Sequence, residues 1–201
     1  MTYKAVIFDF GRVLLNWNPK DIFTQGEFAS DDEFNSFFNF IMPFHLCTDG
    51  GLAFDKIFPL VAERFPEKRE LISIWQNYFE RSIQEPIWDT VDILKTLKDD
   101  GRYQLFGLTN FEEDLCRKII AKYDFFNLLD DIVISGEVGL VKPYDDIYKI
   151  LPARYHLKMD ECIFIDDNIF NINTANRLGI HGILFKDAKQ LHTELTELNI
   201  L

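Results

Sequence analysis

Five short apolar runs constrain the fold more than any other feature of the chain. They are Ala5–Phe8, Leu105–Leu108, Ile132–Ile134, Cys162–Ile165 and Gly182–Phe185, and none of them alternates with polar residues. A strand with one face in water alternates; a short continuous apolar run suits a parallel strand covered on both faces. From the second run onward, the intervening segments carry helix punctuation. Asn110-Phe-Glu-Glu113 reads as a capping box that opens a helix toward Tyr123. Pro143 suits the first turn of a helix through about Leu151. Asn168 to Leu178 is followed by Gly179, a natural residue just past a helix end, and a last helix is expected from about Ala188 to Leu198. Strand–helix alternation of this kind predicts an α/β fold, a doubly wound parallel five-stranded sheet with right-handed crossovers.

The interval from Asn16 to Pro86 breaks that rhythm. Eleven of the 20 Phe fall in it, together with Trp17, Trp75 and Tyr78, and it reads as helical throughout. Ser30-Asp-Asp-Glu33 is a second capping box, opening a helix with Phe34, Phe37, Phe38 and Ile41 on one face. Leu52 to Phe65 and Glu67 to Ile83 read as two more helices, with Gly50-Gly51 as a turn. The expected organisation is an α/β core from residues 1–15 and 87–201 with a helical insert over 16–86.

Charge and cysteine content narrow the function classes. Twenty-one Lys and Arg against 33 Asp and Glu give a net charge of -12, which argues against nucleic acid or an anionic membrane as partner, since phosphate-rich surfaces need clustered cations. No apolar run reaches the roughly 18 residues of a membrane span, and the N-terminus lacks a signal-type apolar region. Three well-separated cysteines, Cys47, Cys116 and Cys162, read as reduced thiols in a cytoplasmic protein. The expected partner is a small molecule, and the chain is expected to be a monomer or homodimer.

The polar residues that follow the apolar runs are the candidates for chemistry. Asp9, Thr109-Asn110 and Asp166-Asp167 stand at three predicted strand ends, and Lys142 lies in the loop before a helix. Open parallel sheets bind ligands at the carboxyl ends of their strands, where strand order reverses, so these distant positions are expected to converge. Each has a plain alternative. Asp9 and the Asp166-Asp167 pair would suit helix caps or turns. Adjacent carboxylates also repel, and a hard cation would relieve them. Thr109-Asn110 would suit a cap or an anion site, and Lys142 a solvated loop.

In order and spacing, these residues resemble the motifs of the haloacid dehalogenase-like hydrolase superfamily. Phe8-Asp9-Phe10-Gly11-Arg12-Val13-Leu14 is similar to its first motif, Leu108-Thr109-Asn110 to its second, Gly139-Leu-Val-Lys142-Pro143 to its third, and Phe164-Ile165-Asp166-Asp167-Asn168 with Asn171 to its fourth. The resemblance implies a Rossmann-like sheet with the insert as a C1 cap. It implies Mg2+ held by Asp9, the Gly11 carbonyl and Asp167, with Asp166 acting through water. It implies hydrolysis of a phosphate monoester through an aspartyl-phosphate, with Asp9 as nucleophile and with Lys142, Thr109 and Asn110 neutralising the phosphoryl oxygens. Arg12 is a candidate contact to substrate or cap. The Asp-x-Gly form with Asp166-Asp167-Asn168 is also similar to a bacterial α-glucose-1-phosphate phosphatase subgroup, which implies a sugar phosphate.

One position departs from the family pattern. Many phosphatases of the superfamily carry an aspartate two residues after the nucleophile as general acid; here Gly11 stands there. A metal-bound or cap-supplied group, a good leaving group, or low phosphatase activity would each account for it. His45, Cys47 and Asp49 near the expected cap turn are candidates for leaving-group contact. Two rival readings stand beside phosphatase. A metal-free 2-haloacid dehalogenase would share the nucleophile, but Asp166-Asp167 argues against it, because an unneutralised pair repels a carboxylate substrate. A non-catalytic binding protein of the same fold is the other.

Overall fold

Strand β1, Ala5–Phe8, is the centre of a five-stranded parallel sheet. The computed structural model describes residues 3–24 and 26–201. After β1 come β2 (Leu15–Trp17), helices α1 (Asp31–Asp49), α2 (Phe54–Arg64) and α3 (Arg69–Tyr78), and strand β3 (Ile83–Pro86). The chain then alternates through α4 (Trp88–Asp100), β4 (Gln104–Thr109), α5 (Glu113–Lys122), β5 (Asp131–Ile134), short helices α6 (Ser135–Val138), α7 (Asp145–Tyr148) and α8 (Ile150–Arg154), β6 (Cys162–Asp166), α9 (Ile169–Arg177), β7 (His181–Leu184) and α10 (Ala188–Glu197). Strand order is β5-β4-β1-β6-β7, all parallel. It is the doubly wound sheet expected from the apolar runs.

Burial on both faces explains why those runs do not alternate. Ala5, Ile7, Phe106, Leu108 and Phe164 pack on one face with Ile147, Leu151, Ile172 and Ala175 from α7–α9. Val6, Phe8, Leu105, Ile163 and Ile165 pack on the other with Val91 and Leu94 of α4, Ile119 of α5 and Leu191 of α10. Gly107 is required by a close approach, since a Cβ there would lie 2.7 Å from the Phe10 ring.

The segment between β1 and α4 is not helical throughout. Its two ends, β2 and β3, pair as an antiparallel ribbon, Leu15 opposite Pro86 and Trp17 opposite Ile83. Two chain crossings lying side by side satisfy each other's backbone groups, an arrangement that a helix at either crossing would forbid. Between them, α1 is capped by Ser30, whose hydroxyl accepts from the Glu33 N–H. The helix expected from Glu67 ends at Tyr78 and passes through a 3-10 turn, Phe79–Ser82, into β3. Phe37, Ile41, Phe58, Ile72, Trp75 and Phe79 form an aromatic-rich core continuous with one face of the sheet. No helix among the described residues is long and apolar enough to cross a membrane.

Two expected helix starts move. The helix after β4 begins at Glu113, with Glu112 as the cap accepting from the Leu115 N–H. The segment after Pro143 forms two short helices, α7 and α8, starting at Asp145.

Candidate active site at the strand ends

Register places the candidate residues together. Phe8 lies opposite both Gly107 and Ile165, so β1, β4 and β6 end nearly level and project Asp9, Thr109 and Asp166-Asp167 from one edge. The strand order reverses beside β1, which opens the crevice there.

Lys142 ties the edge together. It is 3% exposed, and its Nζ lies 2.8 Å from Asp9 Oδ1 and 2.7 Å from Asp166 Oδ2. It also donates to the Leu108 carbonyl at 3.0 Å. These contacts match the three hydrogens of an ammonium group. Burial opposes the charge of Lys142, but Asp166 and Asp9 outweigh it and hold its pKa above the ordinary value. Its backbone is fixed as well. Asn110 Nδ2 donates to the Lys142 carbonyl at 2.9 Å, and the Lys142 N–H donates to Asn110 Oδ1 at 2.8 Å. The Asn110 side chain, expected to cap a helix, is a two-point clamp on this loop.

The three carboxylates differ in what they can offer. Asp9 Oδ1 accepts from the Phe10 N–H at 2.7 Å and faces Lys142; both interactions fall on that oxygen, which leaves Oδ2 to act. Burial raises the Asp9 pKa well above the usual carboxylate range; Lys142 opposes the rise and Asp166 adds to it. Asp166 is fully buried. It accepts from the Asn168 N–H at 2.8 Å, from Asn171 Nδ2 at 2.9 and 3.0 Å, and from Lys142, so its oxygens hold the turn into α9. Asp167 lies on the cavity wall with Arg12 Nη1 3.7 Å away. Burial raises its pKa, Asp166 adds to that, and Arg12 and Lys142 oppose it.

Each of Asp9, Asp166 and Asp167 offers an oxygen within 4.8 Å of the others. The Lys142 ammonium and the Arg12 guanidinium beside Asp167 still leave three crowded carboxylates with an excess negative charge, and oxygen donors are what a hard divalent cation takes. The donor set therefore fits Mg2+. Asp9 and Asp167 line the cavity beside Gly11, whereas Asp166 is enclosed behind them.

The cavity measures about 230 Å3. Thr109, Asn110 and Lys142 line it together with Arg12, whose φ of 60° bends the loop after β1. The Arg12 guanidinium stacks on Trp17, 4.8 Å from the ring centroid. The rest of the lining comes mainly from the helical segment and its ribbon, Trp17, Met42, His45, Leu46, Asp49, Phe79 and Ile83, with Phe111 from the loop after β4. His45 and Asp49 are thus in the cavity; Cys47 is exposed and donates to the Pro43 carbonyl at 3.5 Å. Sequence reasoning did not single out the apolar wall. Its residues share no strand end and no motif, and only packing assembles them.

The sequence profile of the haloacid dehalogenase-like hydrolases matches residues 6–185. The chain is 24% identical over 203 residues to drimenol cyclase drtB of Aspergillus calidoustus, covering 97% of this chain but 36% of that protein, so it spans about a third of that relative's length. It is also 24% identical over 216 residues to sesquiterpene phosphatase astK of Aspergillus oryzae, covering 98% of this chain and 97% of the relative. Its fold is similar to that of a HAD family enzyme from Bacteroides thetaiotaomicron solved with magnesium and inorganic phosphate, with a TM-score of 0.67, 20% identity, and 92% of this chain and 95% of that one covered.

Proposed function

The chain belongs to the haloacid dehalogenase-like hydrolase family, and from that membership and the cluster at the strand ends we propose that it hydrolyses a small phosphate monoester in a Mg2+-dependent reaction with Asp9 as nucleophile. The observation that carries this reading is the meeting of Asp9, Asp166 and Asp167 oxygens within 4.8 Å around the buried Lys142. Similarity to a sesquiterpene phosphatase and to a fold solved with magnesium and phosphate supports it.

Asp9, Asp167 and the Gly11 carbonyl would hold Mg2+, which when bound neutralises charge on the phosphoryl oxygens. Asp9 Oδ2 attacks phosphorus, giving an aspartyl-phosphate, while Oδ1 stays oriented by the Phe10 N–H and Lys142. Lys142 keeps Asp9 and Asp166 compatible in one buried volume. The Thr109 hydroxyl at the end of β4 and the N–H of Asn110 just after it serve as donors to the phosphoryl group. Asp166 acts indirectly, through Lys142 and Asn171. Arg12 supplies a cation at the cavity edge. Residues 16–86 act as a C1 cap over a core of 1–15 and 87–201, and the cap sets specificity.

The organic part of the ester meets the cap wall. Trp17, Met42, Leu46, Phe79, Ile83 and Phe111 offer mostly apolar contact, which favours a prenyl-, alkyl- or aryl-type group over the sugar expected from the Asp-x-Gly resemblance. A sugar there would find polar partners at His45 and Asp49 but would set its remaining hydroxyls against apolar side chains.

The test compares phosphate release from p-nitrophenyl phosphate with and without Mg2+ against chloride release from a 2-haloacid. Phosphate release that needs Mg2+ and is lost in Asp9→Asn is the expected result. Chloride release without metal would instead identify a dehalogenase, and turnover of neither compound would identify a binding protein. A panel of prenyl, aryl and sugar phosphates then ranks the substrate classes, with the apolar esters expected to give the higher kcat/KM.

A further inference from the structure

Breaking the ester bond requires a proton for the leaving oxygen, and Gly11 has no side chain to supply one. Three carboxyl groups line the cavity: Asp9, Asp49 and Asp167. The reading above uses Asp9 as nucleophile and Asp167 at the metal. Asp49 is the remaining carboxyl, and it is carried into the same cavity by helix α1 of the inserted segment rather than by a strand end.

Several features fix Asp49 in that place. It is the last residue of the 19-residue helix α1 and is 6% exposed. The turn that follows rests directly on the core: a Cβ on Gly51 would lie 3.0 Å from the Gly136 carbonyl oxygen. Asp49 therefore enters the site from an anchored point. One turn back, His45 Nε2 lies 3.7 Å from Asp49 Oδ1, and His45 Nδ1 is buried with no hydrogen-bond partner among the described residues.

The charged and titratable groups around Asp49 decide its protonation. Burial is the largest influence and raises its pKa; Lys142 opposes and Glu112 adds to the rise, which brings the carboxyl to about 7. The helix end works in the same direction, because the exposed carbonyls there disfavour a negative charge. Cys116, the remaining titratable neighbour, holds its proton, since burial raises its thiol pKa far above the ordinary value. His45 is pushed down to about 3 by burial and stays neutral at neutral pH, so it has no acidic proton of the right strength to give. A group that is part protonated near neutrality can both give and take a proton.

Resting on the phosphatase reading, we infer that Asp49 is the general acid and base of this enzyme, supplied from the inserted helix rather than from the loop after the nucleophile. As Asp9 Oδ2 bonds to phosphorus, the bond from phosphorus to the ester oxygen breaks, and its electron pair takes the Asp49 proton to release the alcohol. Water then attacks phosphorus and gives a proton to the Asp49 carboxylate. The bond from Asp9 to phosphorus breaks, returning the electron pair to Asp9 and releasing inorganic phosphate.

The experiment compares wild type and Asp49→Asn on two esters: phenyl phosphate, whose leaving oxygen needs a proton, and p-nitrophenyl phosphate, whose leaving group departs as a stable anion. The ratio of the two rates within one preparation does not depend on how much of the variant folds. Asp49→Asn is expected to lose on the order of 10²-fold in kcat/KM on phenyl phosphate and about tenfold or less on p-nitrophenyl phosphate. Infrared difference spectra of resting protein near pH 6, wild type minus variant, should also show the band of a protonated carboxyl. An unchanged rate ratio, or a missing carboxyl band, overturns the assignment while leaving the phosphatase reading in place. A wild-type protein that hydrolyses neither ester with Mg2+ overturns both.

Discussion

Lys142 contacts two carboxylates and a carbonyl from one buried position, so its removal tests how the site is held. Lys142→Met leaves Asp9 and Asp166 enclosed without their counter-charge, and breaking a buried pair in this way costs about 3–5 kcal/mol. Urea unfolding at pH 7 should show that loss, and the deficit should shrink at pH 5 as Asp9, whose pKa burial holds well above the usual carboxylate range, takes up a proton. His45 is the opposite case. Its ring packs 4.4 Å from Phe79 and 5.5 Å from Trp75, centroid to centroid, and its Nδ1 has no partner among the described residues. Burial lowers its pKa from 6.5 to about 3. The unfolded chain therefore binds the extra proton more readily, so this group's contribution to stability is full above pH 6.5 and falls as pH drops toward 3. His45→Phe should be neutral to stabilising by about 1 kcal/mol at pH 7 and more stabilising at pH 4, measured as the difference in urea midpoints; a larger loss at pH 4 than at pH 7 would contradict the sign. Asp9, Thr109 and Asp166 could be picked out in the sequence because a polar residue directly after a fully apolar strand has few places to go but the sheet edge. His45 and Asp49 could be named only by their place near an expected turn, together with Cys47, which stays outside the cavity; the two enter it through packing of α1 on the core.

At the scale of elements, the strands were legible and several joints were not. Burial on both faces writes itself into sequence as an unbroken apolar run, which is why all five sheet strands could be read. The ribbon β2–β3 could not be read in the same way: Leu15–Trp17 and Ile83–Pro86 are three and four residues long, too short for periodicity, and what makes them strands is pairing across nearly 70 residues of chain. The start of α5 was misplaced for a related reason. Asn110 has the chemistry of a cap, but its side chain bonds the backbone of Lys142 across a sequence separation of 32, and a long-range partner leaves no local trace. That same region carries a test of how tightly elements are seated. A Cβ on Gly136 would lie 2.8 Å from both the Glu113 N and the Phe111 carbonyl oxygen, two backbone atoms that cannot rotate away. Gly136→Ala must push α6 from the β4–α5 loop, at a cost of about 1–3 kcal/mol. Because that loop bears Asn110 and follows directly on Thr109, kcat on p-nitrophenyl phosphate should fall together with Tm; a lowered Tm with unchanged kcat would show that the loop moves without the site.

For the whole molecule, the proposed metal site joins residues separated by most of the chain, since Asp9 follows the first strand and Asp167 the sixth. A ligand that binds only when those strand ends are aligned must stabilise the entire fold, by about 2.7 kcal/mol at a free concentration 100 times Kd. For a chain of this size that corresponds to a rise in Tm of roughly 5–10 °C. The net charge of -12 complicates the measurement, because any salt screens the repulsion among surface carboxylates. KCl at matched ionic strength is therefore the reference, and EDTA should return the magnesium-loaded protein to that baseline. Asp167→Asn separates site from surface. It removes one of the two carboxylates proposed as cation ligands while changing the net charge by a single unit, so generic screening survives and the specific shift does not. The expected result is a Tm rise with Mg2+ beyond that with KCl in wild type, and equal values in the two salts for Asp167→Asn. Equal values in wild type would mean that Lys142 and bound protons suffice to hold the three carboxylates together, and the proposed role of Asp9 and Asp167 as cation ligands would fall.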